Sequence, residues 1–237
     1  LSLHDALPIS GPGVVFSYLL AALVAGFVAL AYAEMSTVMP FAGSAYSWIS
    51  VLFGEGFGWI AGWALLAEYF IAVAFVGSGF SANLQQLLAP LGFHLPKVLA
   101  NPFGTDGGVV DIISLLVILL SAIIVFRGAS DAGRISQILV VLKVAAVIAF
   151  IIVGITVIKP ANYHPFIPPH NPKTGFGGFS GIWSGVSMIF LAYIGFDSIA
   201  ANSAEAKNPQ KTMPRGIIGS LLIAVVLFAA VTLVLVG

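Results

Sequence analysis

The sequence predicts an all-α integral membrane protein with about six transmembrane helices. Of its 237 residues, 59% are hydrophobic and only 8% are charged, and the mean hydropathy is +1.08. A soluble domain carries about 25% charged residues. Several stretches with few or no charges reach the roughly 20 residues that cross the hydrocarbon core of a bilayer. The loops between them hold almost all of the Lys, Arg, Pro and Asn residues.

The first three predicted spans lie in the amino-terminal half of the chain. A Gly-Pro pair marks the start of the first span, about residues 13–35, which contains no charge before Glu34. The second span, about residues 57–88, is long for a perpendicular helix and carries Glu68 near its middle, which indicates tilt or a continuation beyond the membrane. The third span, about residues 109–126, follows a polar loop rich in Pro and Gly and ends at the short connection RGASDAGR.

The last three predicted spans contain the most unusual residues. The fourth, about residues 135–158, carries Lys143 roughly 10 residues from its start, or about 15 Å along a helix, so a cation lies near the bilayer midplane. The fifth, about residues 179–201, contains the stretch FLAYIGFDS at residues 190–198, where a glycine and a carboxylate interrupt apolar sequence. The sixth runs from about residue 214 to the end.

The loops also predict the orientation of the spans. The loops on one side are residues 36–56, 127–134 and 203–215, and those on the other side are residues 89–108 and 159–178. The first set holds five Lys and Arg residues and the second set holds three. The positive-inside rule therefore places the first set in the cytoplasm.

Composition also excludes several classes of function. Nine basic and nine acidic residues cancel, so no charge excess points to nucleic acid. The absence of cysteine excludes disulfides and thiolate metal sites, while His94, His164 and His170 lie in loops without the spacing of zinc ligands. No pair of nucleophile and base suggests catalysis. We therefore expect neither an enzyme, nor a metal site, nor a cofactor.

Three ionisable residues fall inside predicted spans: Glu68, Lys143 and Asp197. A charge at the bilayer centre costs at least about 2.5 kcal/mol on insertion scales, so each needs a partner, a water-filled cavity or a neutral state. One alternative is that they pair and only hold the helices together; the other is an ion or substrate pathway. Lys143 has no acid within one helical turn, and a desolvated lysine can carry a proton.

The sequence around Asp197 permits two interpretations. Gly195 weakens the helix, and a series of Ser and Gly residues precedes it in the same span. Small residues allow helices to pack closely. Alternatively the helix is discontinuous, and its exposed carbonyl groups bind substrate and ions, as in transporters.

Two further features bear on the ends of the chain and on the membrane interfaces. Residues 1–10, LSLHDALPIS, lack the regions of a signal peptide and resemble a translated sequencing adapter. We expect a non-native leader there and a partial membrane domain over residues 11–237, because the chain stops inside an apolar run. The four tryptophans are expected to act as interfacial anchors, with Trp63 the most buried of them.

Several motifs in the right order resemble one family. FLAYIGFDS followed by EAKNPQKTMPRGI resembles the sixth helix and next loop of the amino acid-polyamine-organocation transporters, especially the permeases similar to cationic amino acid transporters. YAEMSTVMPFAGSAYSW is similar to the end of their second helix, WALLAEYF to their third and ISQILVVLKVAAVIAFIIVG to their fifth. The resemblance covers nearly all of residues 11–237. It implies helices 2 to 7 of a LeuT-like fold of about twelve helices, in a bacterial inner membrane.

The resemblance also implies a function and a site. The expected function is secondary active amino acid transport by alternating access, through proton symport or exchange. Helix 6 is unwound at the midplane in this fold, so Leu191, Ala192, Tyr193 and Ile194 would line the amino acid site. In this register, the carbonyl groups of Leu191, Ala192 and Ile194 would receive the α-ammonium group.

Charged residues complete the implied site. Lys143 matches a fifth-helix lysine that takes the place of a sodium ion in proton-coupled relatives. Glu68 and Asp197 match acidic positions that face the central cavity. They would bind a cationic substrate side chain or relay a proton. Alternatively, they would neutralise the charge of Lys143, and the substrate would then be neutral. The expected partners are an amino acid, protons and the lipid bilayer, and the sequence predicts no oligomeric state.

Two other classes of membrane protein remain as alternatives. A proton-translocating subunit of a membrane complex also uses intramembrane lysines and glutamates, but it should carry a connected row of charges, whereas the first, third and last spans lack a central charge. A helical receptor or structural membrane protein has no need of Lys143.

Overall fold

The computed structural model describes residues 9–92, 94–105, 107–127, 129–170 and 177–237, and the side chains of residues 129–132 are excepted. Within these residues the chain is helical, and the fold class that the sequence predicts is confirmed. The α-helices are α1 Val14–Val38, α2 Ala45–Phe53, α3 Glu55–Leu88, α4 Lys97–Ala100, α5 Ile112–Phe126, α6 Ala129–Ile155, α7 Gly178–Phe190, α8 Phe196–Ala201 and α9 Pro209–Val236.

Five of the six predicted spans are long and apolar enough to cross a membrane. These segments are Gly11–Val38, Glu55–Leu91, Gly133–Ile155, Gly178–Ala201 and Pro209–Val236. The predicted span at residues 109–126 is α5, an apolar helix of 15 residues, which extends about 22 Å at 1.5 Å per residue. It starts later than expected because Asp111 is its N-cap, and the Asp111 carboxylate accepts a hydrogen bond from the Ser114 N–H.

The chain divides into two compact units. The first comprises the described residues up to Gly58 together with those from Lys143 to Gly237, and the second comprises Trp59–Leu142. In the first unit, α1 packs against α7, α8 and α9. The buried face of α1 is built from alanines at helical spacing, namely Ala21, Ala22, Ala25, Ala29 and Ala33. Such small side chains let neighbouring helices approach closely in a membrane.

Serine hydroxyls join the start of α1 to α7. Ser10 Oγ donates to the Gly181 carbonyl at 3.0 Å and Ser17 Oγ donates to the Ile182 carbonyl at 2.9 Å. A Cβ atom on Gly185 would lie 2.5 Å from Ser10 Oγ, so the approach of the two elements requires glycine. Ser10 falls in the predicted leader, of which residues 1–8 lie outside the described residues; the leader stays a prediction.

The second unit contains a hydrogen-bonded group between α3 and α5. Ser81 Oγ donates to Asp111 Oδ1 at 2.6 Å. The Gln85 side-chain amide donates to Ser81 Oγ at 3.0 Å and to the Ala100 carbonyl at 2.8 Å. Asp111 and Ser81 are buried. These bonds hold the α3 end, the short α4 and the start of α5 together.

Two sequence predictions are wrong in the region after α1. Residues 36–56 were expected to form a loop, but they contain the nine-residue helix α2. Trp63 was expected to be the most buried tryptophan, but its side chain is 57% exposed whereas that of Trp48 is 4% exposed. Trp48 is buried because α2 brings it against Tyr32 of α1.

Candidate functional site at a helix break

The fifth span is interrupted at the stretch that the sequence singles out. α7 ends at Phe190, and Leu191–Tyr193 form one turn of 3-10 helix. Ile194 is extended, with φ −66° and ψ 142°, and Gly195 has φ 137°. The chain becomes helical again in α8. The predicted discontinuous helix is therefore confirmed. Close packing, the other interpretation, is also observed earlier in the same span, where Gly185 faces Ser10 and Ser17.

The break has a local cause in the sequence. A φ of 137° lies where L-residues are strained and glycine is not, so Gly195 permits the chain to leave the helical path. Ending α7 deprives its last carbonyl groups of intrahelical partners, and starting α8 does the same for its first N–H groups. Non-helical backbone at membrane depth is tolerated where it is buried in protein or lines a water-filled cavity.

One face of the break is packed and the other is open. Tyr193, Phe196 and Asp197 are buried, with 5%, 8% and 5% of their surface exposed. Leu191 and Ile194 are 54% and 40% exposed. The open face therefore presents aliphatic side chains beside the interrupted backbone.

Aromatic contacts hold the packed face. The Tyr193 hydroxyl donates to the Tyr18 carbonyl of α1 at 3.2 Å. The rings of Tyr193 and Tyr18 lie 5.4 and 5.8 Å from the ring of Phe228 on α9. Tyr193 was predicted to line the site, and its side chain packs into the helix interface. Sequence reasoning missed Tyr18 and Phe228, although a tyrosine in an apolar span is itself a signal, because its buried hydroxyl needs a hydrogen-bond partner.

Asp197 is the second residue of α8 and lies in its first turn. A carboxylate at this end of a helix interacts favourably with the helix dipole. The side chain is buried within the first unit, and the position at the start of α8 offsets part of the cost of burying a carboxylate.

The other two predicted charges lie on different helices. Lys143 lies in α6, ten residues after the start of the apolar segment Gly133–Ile155, and its side chain is exposed. Glu68 lies in α3, in the second unit, and is also exposed. Of the predicted site residues, the structure brings together those of the break, from Leu191 to Asp197.

The chain matches one family over nearly its whole length. The family model described as amino acid permease matches residues 6–237. The branched-chain amino acid permease BcaP of Lactococcus lactis subsp. cremoris (strain MG1363) is 99% identical over 228 residues, which are 96% of this chain and 49% of that protein. A methylthioribose transporter of Bacillus subtilis (strain 168) is 40% identical over 96% of this chain and 48% of its own length.

A more distant relative supports the resemblance to cationic amino acid transporters. The vacuolar cationic amino acid transporter 4 of Arabidopsis thaliana is 32% identical over 96% of this chain and 38% of its own length. The chain thus spans about half, or less, of the length of the relatives it matches. With its apolar helices, these matches make it a multi-pass protein of the cell membrane and confirm the resemblance. The chain belongs to the amino acid permease family, within the amino acid-polyamine-organocation transporters.

Proposed function

We propose that a full-length permease with this sequence is a secondary active transporter of branched-chain amino acids that works by alternating access. The observation that carries the proposal is the interruption at Leu191–Gly195 inside a membrane span. A continuous helix offers no backbone group to a solute, because its amides and carbonyls bond to one another. A broken helix exposes backbone carbonyl groups at membrane depth, and a carbonyl oxygen can accept a second hydrogen bond, as that of Leu191 would beside the one from the Ile194 N–H.

The proposed binding mode uses the backbone for the part that all amino acids share. The carbonyl oxygens of Leu191, Ala192 and Ile194 accept hydrogen bonds from the α-ammonium group. Bonds of this kind, with one charged member, are about twice as strong as neutral ones. Tyr193 supports these carbonyls, since its hydroxyl fastens the break to α1.

The aliphatic residues on the open face favour an aliphatic substrate side chain. Leu191 and Ile194 present apolar surface beside the proposed carbonyls. A leucine, isoleucine or valine side chain gains free energy by leaving water for such a surface. The name of the relative at 99% identity agrees with this choice. Under this proposal Glu68 and Asp197 do not bind a cationic substrate side chain. They neutralise the charge of Lys143 or relay a proton.

Lys143 is proposed as the coupling residue. It lies in the middle of an apolar segment, where a permanent charge is costly. Protonation from one side of the membrane and release to the other would link proton movement to the conformational cycle. Exchange of one amino acid for another needs no such step, so the two mechanisms differ in their response to a pH gradient.

Uptake of labelled leucine by proteoliposomes that contain the full-length permease tests the function. We expect uptake that unlabelled isoleucine and valine compete for and that arginine does not. A gradient with an alkaline interior should stimulate uptake if protons are coupled. No uptake of any amino acid, with or without the gradient, would contradict the proposal. Competition by arginine without competition by isoleucine would reject the branched-chain substrate.

Methylthioribose belongs in the same experiment as a second candidate substrate. The reason is the 40% identity to a protein named for its transport. Uptake of labelled methylthioribose that leucine does not reduce would favour this candidate over amino acids.

A further inference from the structure

The orientation of α8 must come from contacts with other elements. α8 has only six residues, far fewer than the roughly 12 to 15 that an isolated helix needs to be even marginally stable in water. It is joined to α7 through Ile194 and Gly195, which are not helical, and glycine permits a wide range of backbone angles. Whatever packs against α8 therefore also determines where Asp197 lies.

Three aromatic rings in successive edge-to-face contact connect α8 to α2, and they are called the ring stack below. The ring of Tyr32, on α1, lies 5.3 Å from that of Phe196 at an interplanar angle of 74°. The same ring lies 5.4 Å from that of Trp48, on α2, at 71°. Both are edge-to-face arrangements, the favourable geometry for aromatic pairs. Phe196 is the first residue of α8 and directly precedes Asp197.

Hydrogen bonds fix the far end of this stack. The Trp48 indole N–H donates to the Met39 carbonyl at 2.9 Å, so the Trp48 ring has one orientation relative to the end of α1. Ser203, fully buried just after α8, donates from Oγ to the Phe41 carbonyl at 3.1 Å. The first residue of α8 is thus connected to Trp48 through Tyr32, and the residue two positions after its end is bonded to Phe41.

The backbone at the start of α2 is strained, which indicates that its position matters. Ser44 has φ 50° and ψ −132°, a conformation that costs a residue with a side chain of order 1–3 kcal/mol and persists only when surrounding contacts enforce it. Its side chain is 1% exposed. Ser44 directly precedes α2, whose Trp48 contacts Tyr32 on α1.

We propose that Tyr32 and Trp48 are positioning residues for the amino acid site. They hold α8 so that the open face of the break stays available to the substrate. They lie on the packed side of α8, away from Leu191 and Ile194 on the open face. This inference rests on the proposed function, because it assigns a role to α8 in binding an amino acid.

Loss of the ring stack should weaken binding rather than slow translocation. Without it, α8 occupies several orientations, and the apparent affinity falls by the fraction of molecules in the competent one. The measured strength of aromatic pairs corresponds to a change of roughly two- to tenfold for one pair. KM for leucine should rise by about that factor while Vmax stays within about twofold.

Four variants of the full-length permease in proteoliposomes test the proposal. Tyr32→Leu and Trp48→Leu should raise KM for leucine. Tyr32→Phe keeps the ring and removes only the hydroxyl, so a lower KM in this variant than in Tyr32→Leu reports the contribution of the ring. Trp59→Leu removes a tryptophan that is 66% exposed and is the matched control, for which no change is expected. Unchanged KM in Tyr32→Leu and Trp48→Leu, or a fall in Vmax alone, would overturn the proposal.

A second readout separates positioning from a general loss of stability and works without transport. The chain has no cysteine, so Ser198→Cys places one thiol of this chain on the exposed side of α8. Its alkylation rate should change at least twofold when Tyr32→Leu is added and should not change with Trp59→Leu. An equal rate in both backgrounds would overturn the inference. If the wild type takes up no amino acid, the proposed function fails, while the alkylation rates still report on the ring stack.

Discussion

Lys143 lies near the middle of an apolar segment, and its proposed role in proton coupling predicts a specific defect in transport when it is replaced. Lys143→Ala should abolish stimulation of leucine uptake by the pH gradient and leave exchange of leucine across the membrane intact. Lys143→Arg keeps the charge but cannot release a proton, so it should also lose the stimulation. The measurement is the ratio of uptake with the gradient to uptake without it, which should fall to about one. A wild-type ratio in Lys143→Ala would show that coupling resides elsewhere.

The contacts of Asp111 predict that its replacement lowers the stability of the protein and leaves its substrate selectivity unchanged. Its carboxylate caps α5 and accepts the Ser81 hydroxyl, and removal of a capping side chain costs about 0.5–2 kcal/mol. Asp111→Ala should therefore lower the thermal midpoint in detergent, and Asp111→Asn, which keeps one acceptor, should lower it less. Competition between leucine and isoleucine should be the same in both. An unchanged midpoint in Asp111→Ala would contradict the structural role.

At the scale of single residues, the sequence predicted which residues are chemically unusual better than it predicted which residues are in contact. FLAYIGFDS was recognisable because glycine and aspartate are costly in an apolar helix. That the Tyr193 hydroxyl would bond to the Tyr18 carbonyl was not predictable, since the two residues are 175 positions apart and nothing local pairs them. The burial of Trp48 was missed for the same reason, because it depends on Tyr32 in another helix.

At the scale of elements, hydropathy located the spans and local chemistry set their ends. The last span was predicted from residue 214, but α9 begins at Pro209, because proline suits the first turn of a helix. The first span continues to Val38, three residues beyond its expected end. α2 was missed because turn-forming residues surround a helix of only nine residues, too short for the hydropathy of a span.

Gly195 supports a prediction at this scale. An alanine Cβ there would meet no atom within 4 Å, so the cost of Gly195→Ala comes from the φ of 137° alone. Strain of that kind costs of order 1–3 kcal/mol. We expect leucine uptake to fall by about tenfold, since 1.36 kcal/mol corresponds to a factor of ten.

The matched control for Gly195→Ala is Gly219→Ala in α9. The site is equally open, but Gly219 lies within the helix, where alanine is favoured over glycine by about 0.5–1 kcal/mol. Uptake by Gly219→Ala should equal that of the wild type. Equal uptake by both variants would show that the conformation at Gly195 does not matter for transport.

At the scale of the whole molecule, the family assignment applies to both units. The family model covers residues 6–237 and therefore both units. Leu191 to Asp197 belong to the first unit and Glu68 belongs to the second. The relatives are about twice as long as this chain, so the proposed transport is assigned to a full-length permease.

The central claim is that the open face of the break binds an amino acid, and substrate protection of a single thiol tests it most directly. Ala192→Cys places a thiol at an exposed position of the break, and Ala204→Cys places one in the exposed turn after α8 as a control. Leucine should slow alkylation of Ala192→Cys in the full-length permease by several-fold and should leave that of Ala204→Cys unchanged. Equal alkylation of Ala192→Cys with and without saturating leucine, in a permease that transports leucine, would contradict the claim.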